Sequence, residues 1–219
     1  MSRFEAAYAA WLAFVALQRA FELALTRARL RALGSPGRAP NAENSNDETL
    51  RADTPSADTR RADTPSADTP WTWRAMVTLH AALIVLPACE VFLFGSRPSA
   101  ALFVVAIGAF LAAQVLRYWA IHSAGPAWNA RAVVAPSMRV SARGPYRFVR
   151  HPNYLAVIVE FSAIPLGGGA WISWIVLNLL HAPVLAARIR GEERLLARLP
   201  DWNERISAKG RFWPRRTRS

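Results

Sequence analysis

The 219-residue chain carries 27 Lys and Arg against 15 Asp and Glu, a net charge of +12, and 53% of it is apolar. The apolar residues fall in blocks at 4–25, 73–94, 99–122, 152–165 and 170–187, joined by arginine-rich connectors, which is not how a soluble domain distributes them. Arginines gather at block edges without interleaved aromatics, which argues for membrane topology and against a nucleic-acid partner, and the single cysteine, Cys89, leaves no intrachain disulfide framework.

The first block has a stretch, 6–17, of the length of a secretory signal core. Glu5 offsets Arg3, no small-x-small cleavage site follows, and Gln18-Arg19 comes next, so the expectation is a retained first helix over 1–33. Arg19 and Glu22 stand three apart and are placed to pair on one helical face. Residues 34–70 differ in kind. Arg51-Ala-Asp-Thr-Pro-Ser-Ala-Asp-Thr recurs from Arg61, large apolar side chains are nearly absent, and Pro, Asp, Thr and Ser dominate. Such a tract cannot bury enough surface to offset its ordering entropy, so it reads as a disordered loop on the cytoplasmic side.

Blocks 73–94 and 99–122 each exceed the ~20 residues that a helix needs to cross ~30 Å of hydrocarbon. They make 71–122 a pair of transmembrane helices joined by the short turn at 95–98. The remaining chain, 123–219, holds the shorter block 152–165 and the block 170–187. Arginine counts alternate low and high along the connectors, which fits an all-α integral membrane protein of about five spans, N-terminus outside and C-terminus cytoplasmic. Four spans with a re-entrant fourth segment is the alternative, because 152–165 is short.

Polar residues at membrane depth are costly and suggest function. Three groups stand out. In Arg143-Gly-Pro-Tyr-Arg-Phe-Val-Arg-His-Pro-Asn-Tyr154, Gly144-Pro145 reads as a turn and Pro152 as the first residue of a helix. His151 then stands where free backbone N–H groups favour an anion, and Tyr146 and Tyr154 offer faces to a cation such as a sulfonium. A basic, aromatic interface loop is the plainer reading. Asn178, His181, Leu185, Arg188 and Glu192 share one helical face, with Pro183 a source of a kink; this is also what a helix leaving a membrane looks like. Glu160 either serves a site with Asn153 or pairs with an arginine of another helix. His80 and His122 sit near block ends, as interfacial histidines do. There is no HExxH, no Gly-x-Gly-x-x-Gly and no Gly-x-Ser-x-Gly, and no metal site is expected.

Gly144-Pro-Tyr-x-x-x-Arg-His-Pro-x-Tyr154, followed by Arg188-x-x-x-Glu192-Glu193 and Trp202…Arg211-Phe-Trp-Pro214, resembles the isoprenylcysteine carboxyl methyltransferase family over about 112–213. Leu116-Arg-Tyr-Trp-Ala-Ile121 and Asn153-Tyr-Leu-Ala156 look most like a prokaryotic subgroup linked to methylation of long-chain polyketides such as alkylpyrones. The resemblance implies a membrane methyltransferase with S-adenosyl-L-methionine as cofactor. It implies cofactor contacts at Met138, Arg139, Val140, Ser141, Tyr146, His151, Pro152, Asn153, Tyr154 and Glu192, and an acceptor-facing, catalytic Arg188. Arg131 corresponds to a further polar position of the family. Met138 and Arg139 depart from the eukaryotic pattern, and the 34–70 insertion has no counterpart in it.

A sulfonium methyl is already activated, so the protein's task is proximity, alignment and desolvation. An ionised carboxylate acceptor needs a cation, Arg188, and no base; a hydroxyl acceptor needs a base, for which His181 and Glu160 are the candidates. The expected substrate is a lipophilic small molecule or a prenylated one, reached from membrane lipid. A phospholipid N-methyltransferase, a membrane reductase using a nicotinamide, and a non-enzymatic multi-pass protein remain as alternatives.

Overall fold

The computed structural model describes residues 2–34, 66, 68–125, 128 and 140–214. In order these form α1 (Arg3–Gly34), α2 (Pro70–Phe94), α3 (Ala100–Ala124), a 3-10 turn (Gly144–Arg147), α4 (Pro152–Gly167), α5 (Trp171–Leu196) and α6 (Pro200–Arg205). The described chain is helical throughout, as the sequence predicts, with no strand in it. Most of the 34–70 tract, together with Met138, Arg139 and Arg131, lies outside the described residues.

Local chemistry sets the helix ends. At α1, Ser2 and Glu5 bond each other's backbone N–H reciprocally, at 2.8 and 3.2 Å. Thr69 caps α2 by accepting from Thr72 N at 3.3 Å, with Pro70 in the first turn, and Ser99 caps α3 in the same way through Leu102 N. Ala170 has no side chain able to cap α5. Glu90, at the far end of α2, does it instead: its carboxylate accepts from Ile172 N at 3.1 Å and Ser173 N at 2.7 Å.

Among the described residues, four helices are long and apolar enough to cross a membrane: Arg3–Ala28, Pro70–Phe94, Ala100–Ala124 and Trp171–Leu196. The protein is a multi-pass membrane protein. The fourth apolar block, α4, has 16 residues; at 1.5 Å per residue that is about 24 Å, short of the hydrocarbon core. The expectation of about five spans therefore resolves into four long helices and one short one. Val104, Val105, Leu111 and Val115 leave α3 with an exposed apolar face, the surface that lipid would cover.

One end of the bundle gathers the start of α1, the α2–α3 turn and the α4–α5 turn. The Tyr8 hydroxyl donates to Ile164 O at 2.9 Å, Arg97 meets Glu5 at 3.0 Å, and Gly169, at φ +70°, lies against the backbone of Arg97 and Pro98. A Cβ at Gly169 would come within 2.6 Å of that backbone. Between the ends, Tyr8, Trp11, Val15, Phe110, Phe161, Ile164 and Leu177 form the apolar core.

Polar side chains in this core pair with one another, as low dielectric demands. Glu160, fully buried on α4, accepts from Arg117 Nε at 3.0 Å and Nη2 at 2.5 Å, from Gln114 at 2.6 Å and from Arg19 at 2.8 Å. Glu22 takes the other edges of Arg19 and Arg117, at 2.8 and 3.4 Å. The Arg19–Glu22 pair expected from spacing is thus present, inside a four-charge network that ties α1, α3 and α4 together.

Candidate active site

The 3-10 turn and the start of α4 are held by the C-terminal segment. Arg150 N donates to Gly210 O at 2.9 Å and His151 N to Arg211 O at 3.0 Å, while Lys209 Nζ donates to Tyr146 O at 2.7 Å. Glu193 gathers Arg150 at 3.1 Å, His151 Nε2 at 3.2 Å and Arg211 at 2.6 Å. Gly144 makes the turn possible: its φ is +54°, and a Cβ there would stand 2.0 Å from Ser123 Oγ. The family-like Gly-Pro-Tyr thus packs directly on the end of α3.

His151 is the N-cap of α4 and gives no side-chain cap, and Pro152 follows it. The first-turn N–H groups of Asn153 and Tyr154 accordingly stand at an uncapped helix start. One turn in, the Tyr154 hydroxyl donates to Glu192 Oε2 at 2.5 Å and accepts from Arg188 Nε at 2.9 Å. Arg188 Nη1 in turn lies 3.2 Å from Asp68 Oδ2. Burial, with the nearby Glu192 carboxylate adding, pushes the Tyr146 phenol well above its ordinary value, so it stays a neutral donor.

A cavity of about 480 Å³ joins these groups. Val140, Ser141, Tyr146, His151, Pro152, Asn153, Tyr154, Arg188 and Glu192 all line it, so the described residues that the family resemblance implies for cofactor and acceptor border one cavity. Asn153 Oδ1 is buried in the wall with no hydrogen-bond partner among the described residues. From this polar end the cavity continues between α1 and α2, past Ala16, Ala20 and Leu23 on one side and Trp73, Val77 and Ile84 on the other.

The candidate bases of a hydroxyl chemistry do not reach this position. Glu160 is bound by two arginines and a glutamine and is the partner of other helices, the second of its two readings. His181 stacks on Phe161 at 3.8 Å and borders a separate cavity of about 260 Å³ together with Asn178. The polar stripe of α5 is therefore divided. Asn178 bonds the carbonyls of Phe161 and Trp174, Leu185 packs with Met76 and Tyr154, and only Arg188 and Glu192 border the larger cavity.

Sequence reasoning did not find the contribution of the first three helices. Arg19, Glu22 and Arg117 form part of the wall, and so does His80, whose Nδ1 lies 2.8 Å from Met76 O. A carbonyl only accepts, so that nitrogen carries the proton. The available signal was the spacing of Trp73, Val77, His80 and Ile84, which puts them on one face of α2. Trp202 of α6 and Ile206, which follows its last residue, close the cavity from the C-terminal side.

A helical membrane protein with a cavity open to both polar and apolar walls is the class these features define. The sequence profile of the isoprenylcysteine carboxyl methyltransferase family matches residues 104–198, which include all of α4 and α5. The chain is 34% identical over 121 residues to the uncharacterized protein YpbQ of Bacillus subtilis (strain 168), a match covering 55% of this chain and 71% of that protein. The chain belongs to the isoprenylcysteine carboxyl methyltransferase family, a family of methyltransferases.

Proposed function

We propose that the protein is an S-adenosylmethionine-dependent O-methyltransferase for a lipophilic acid or hydroxyl compound, acting at the cytosolic face of the membrane. One observation carries the reading: a single cavity joins the polar start of α4 and exit of α5 to an apolar corridor between α1 and α2. A water-soluble nucleotide and a greasy acceptor need such a pair of connected environments. The arginines of the α1 end, the 139–150 segment and the α5 exit favour the cytosol for the polar end.

The residues suit the cofactor. The uncapped start of α4 suits a carboxylate, the buried Asn153 Oδ1, without a partner among the described residues, suits an amino group, and Glu192 with the Tyr154 ring suits a cation. On this reading Val140, Ser141, Tyr146, His151 and Pro152 complete the cofactor wall; Met138 and Arg139 are proposed for it on the family resemblance alone. Bound S-adenosylmethionine would supply a methyl group already activated on a sulfonium. The chain's own residues then need to orient, to exclude water and to hold the acceptor. Tyr154, fixed between Arg188 and Glu192, keeps the two sides in register. Arg188 faces the acceptor.

The test is calorimetric titration of the purified full chain with S-adenosylmethionine. His151→Ala and Glu192→Ala are each expected to weaken binding at least tenfold. Unchanged affinity in both variants, or no binding by the wild type, would overturn the assignment.

A further inference from the structure

Asp68 lies two residues before α2 and is the last of four aspartates spaced five apart, at 53, 58, 63 and 68. Its side chain is fully buried, and Oδ2 stands 3.2 Å from Nη1 of Arg188, whose side chain is 4% exposed. The other edge of the same guanidinium donates from Nε to the Tyr154 hydroxyl, and that hydroxyl donates to Glu192. Contacts thus run without a break from Asp68 through Arg188 and Tyr154 to Glu192. The last three border the cavity, with Asp68 packed behind them.

We infer that Asp68 is a positioning and specificity-determining residue that acts through Arg188, an inference resting on the proposed role of Arg188 at the acceptor. Its first effect is geometric. By holding Nη1, Asp68 aims Nε at Tyr154, so the guanidinium has a fixed orientation instead of a choice of rotamers. Its second effect is electrostatic. An anionic head group approaching Arg188 is attracted by the guanidinium and repelled by the carboxylate behind it, and both forces act in a poorly screened interior. Arg188 therefore meets an anion with part of its charge already balanced. The charge of Asp68 therefore weakens the hold of the site on a charged head group relative to an uncharged one of the same chain length.

The test compares two long-chain probes on the full chain in nanodiscs: cis-parinaric acid as the carboxylate, and its methyl ester. Both report through energy transfer from tryptophans of the cavity wall, Trp73, Trp128 and Trp202. Asp68→Asn is expected to bind the carboxylate at least tenfold tighter than wild type, with the ester changed less than twofold. Asp68→Glu should restore the wild-type ratio, and Asp68→Asn with Arg188→Gln should lose the gain. Equal carboxylate affinity in wild type and Asp68→Asn would overturn the inference. So would a parallel change for the ester, or a gain that survives loss of Arg188. A purely structural role predicts the parallel change. If Asp68→Asn does not fold, Asp68→Ser carries the same comparison. Calorimetry with S-adenosylmethionine on the same samples keeps the two ideas apart: its failure strikes the methyltransferase reading, whereas failure of the probe ratio strikes only Asp68.

Discussion

Glu160→Gln offers the sharpest view of what holds the cavity floor. The wild-type network balances Arg19 and Arg117 against Glu22 and Glu160, and Glu160 alone accepts from both arginines and Gln114. The substitution keeps the shape and removes one negative charge. It also turns an acceptor oxygen into an NH₂ facing donors. Breaking a buried ion pair from one side costs about 3–5 kcal/mol. For a chain of this size about 1 kcal/mol corresponds to roughly 2–4 °C in Tm, so a fall of about 6–20 °C follows from the same scaling. Melting followed with a thiol-reactive maleimide dye suits the protein, because Cys89 is its single cysteine and is half-buried in α2. Adding Arg117→Gln removes the unpaired positive charge and should recover at least half of the loss, a coupling that the double-mutant cycle isolates. A Glu160→Gln midpoint within 2 °C of wild type, or no recovery in the double variant, would refute the claim that the network is an electrostatic tie between helices.

Two further outcomes follow from the site. Glu193→Ala removes the shared partner of Arg150, His151 and Arg211; limited trypsin digestion should then cut at Lys209 or Arg211 at least fivefold faster, and an unchanged rate would show that the backbone contacts alone hold the C-terminal segment. Tyr146 has a phenol pKa raised above its ordinary 10.0, chiefly by burial. Its contribution to stability is therefore complete below pH 10 and declines as pH rises beyond it, since only the unfolded chain ionises there. Melting temperatures between pH 9 and 11 should fall more steeply for wild type than for Tyr146→Phe, and parallel curves would contradict the burial.

Much of the site was legible because its parts are local. Gly144-Pro145, His151-Pro152 and the Arg188/Glu192 spacing each encode a turn, a helix start or a helix face within a dozen residues, and the family motif orders them. The short reach of α4 was likewise readable from the length of its apolar block. Glu160 shows the limit. Its membrane depth marked it as paired or functional, but Arg19 and Arg117 lie 141 and 43 residues away in sequence, and nothing local distinguishes a partner from a ligand.

The one-dimensional pattern of apolar blocks and arginine connectors by itself determined a helical membrane protein, because lipid requires the backbone to satisfy its own hydrogen bonds within each segment. Only the tertiary structure decided which polar groups face each other across helices: Tyr154 between Arg188 and Glu192, Asp68 behind Arg188, Glu90 capping α5. The face each helix turns to its neighbours depends on packing that no single segment encodes. A buried charge, in turn, can be assigned a role only once its partner is known.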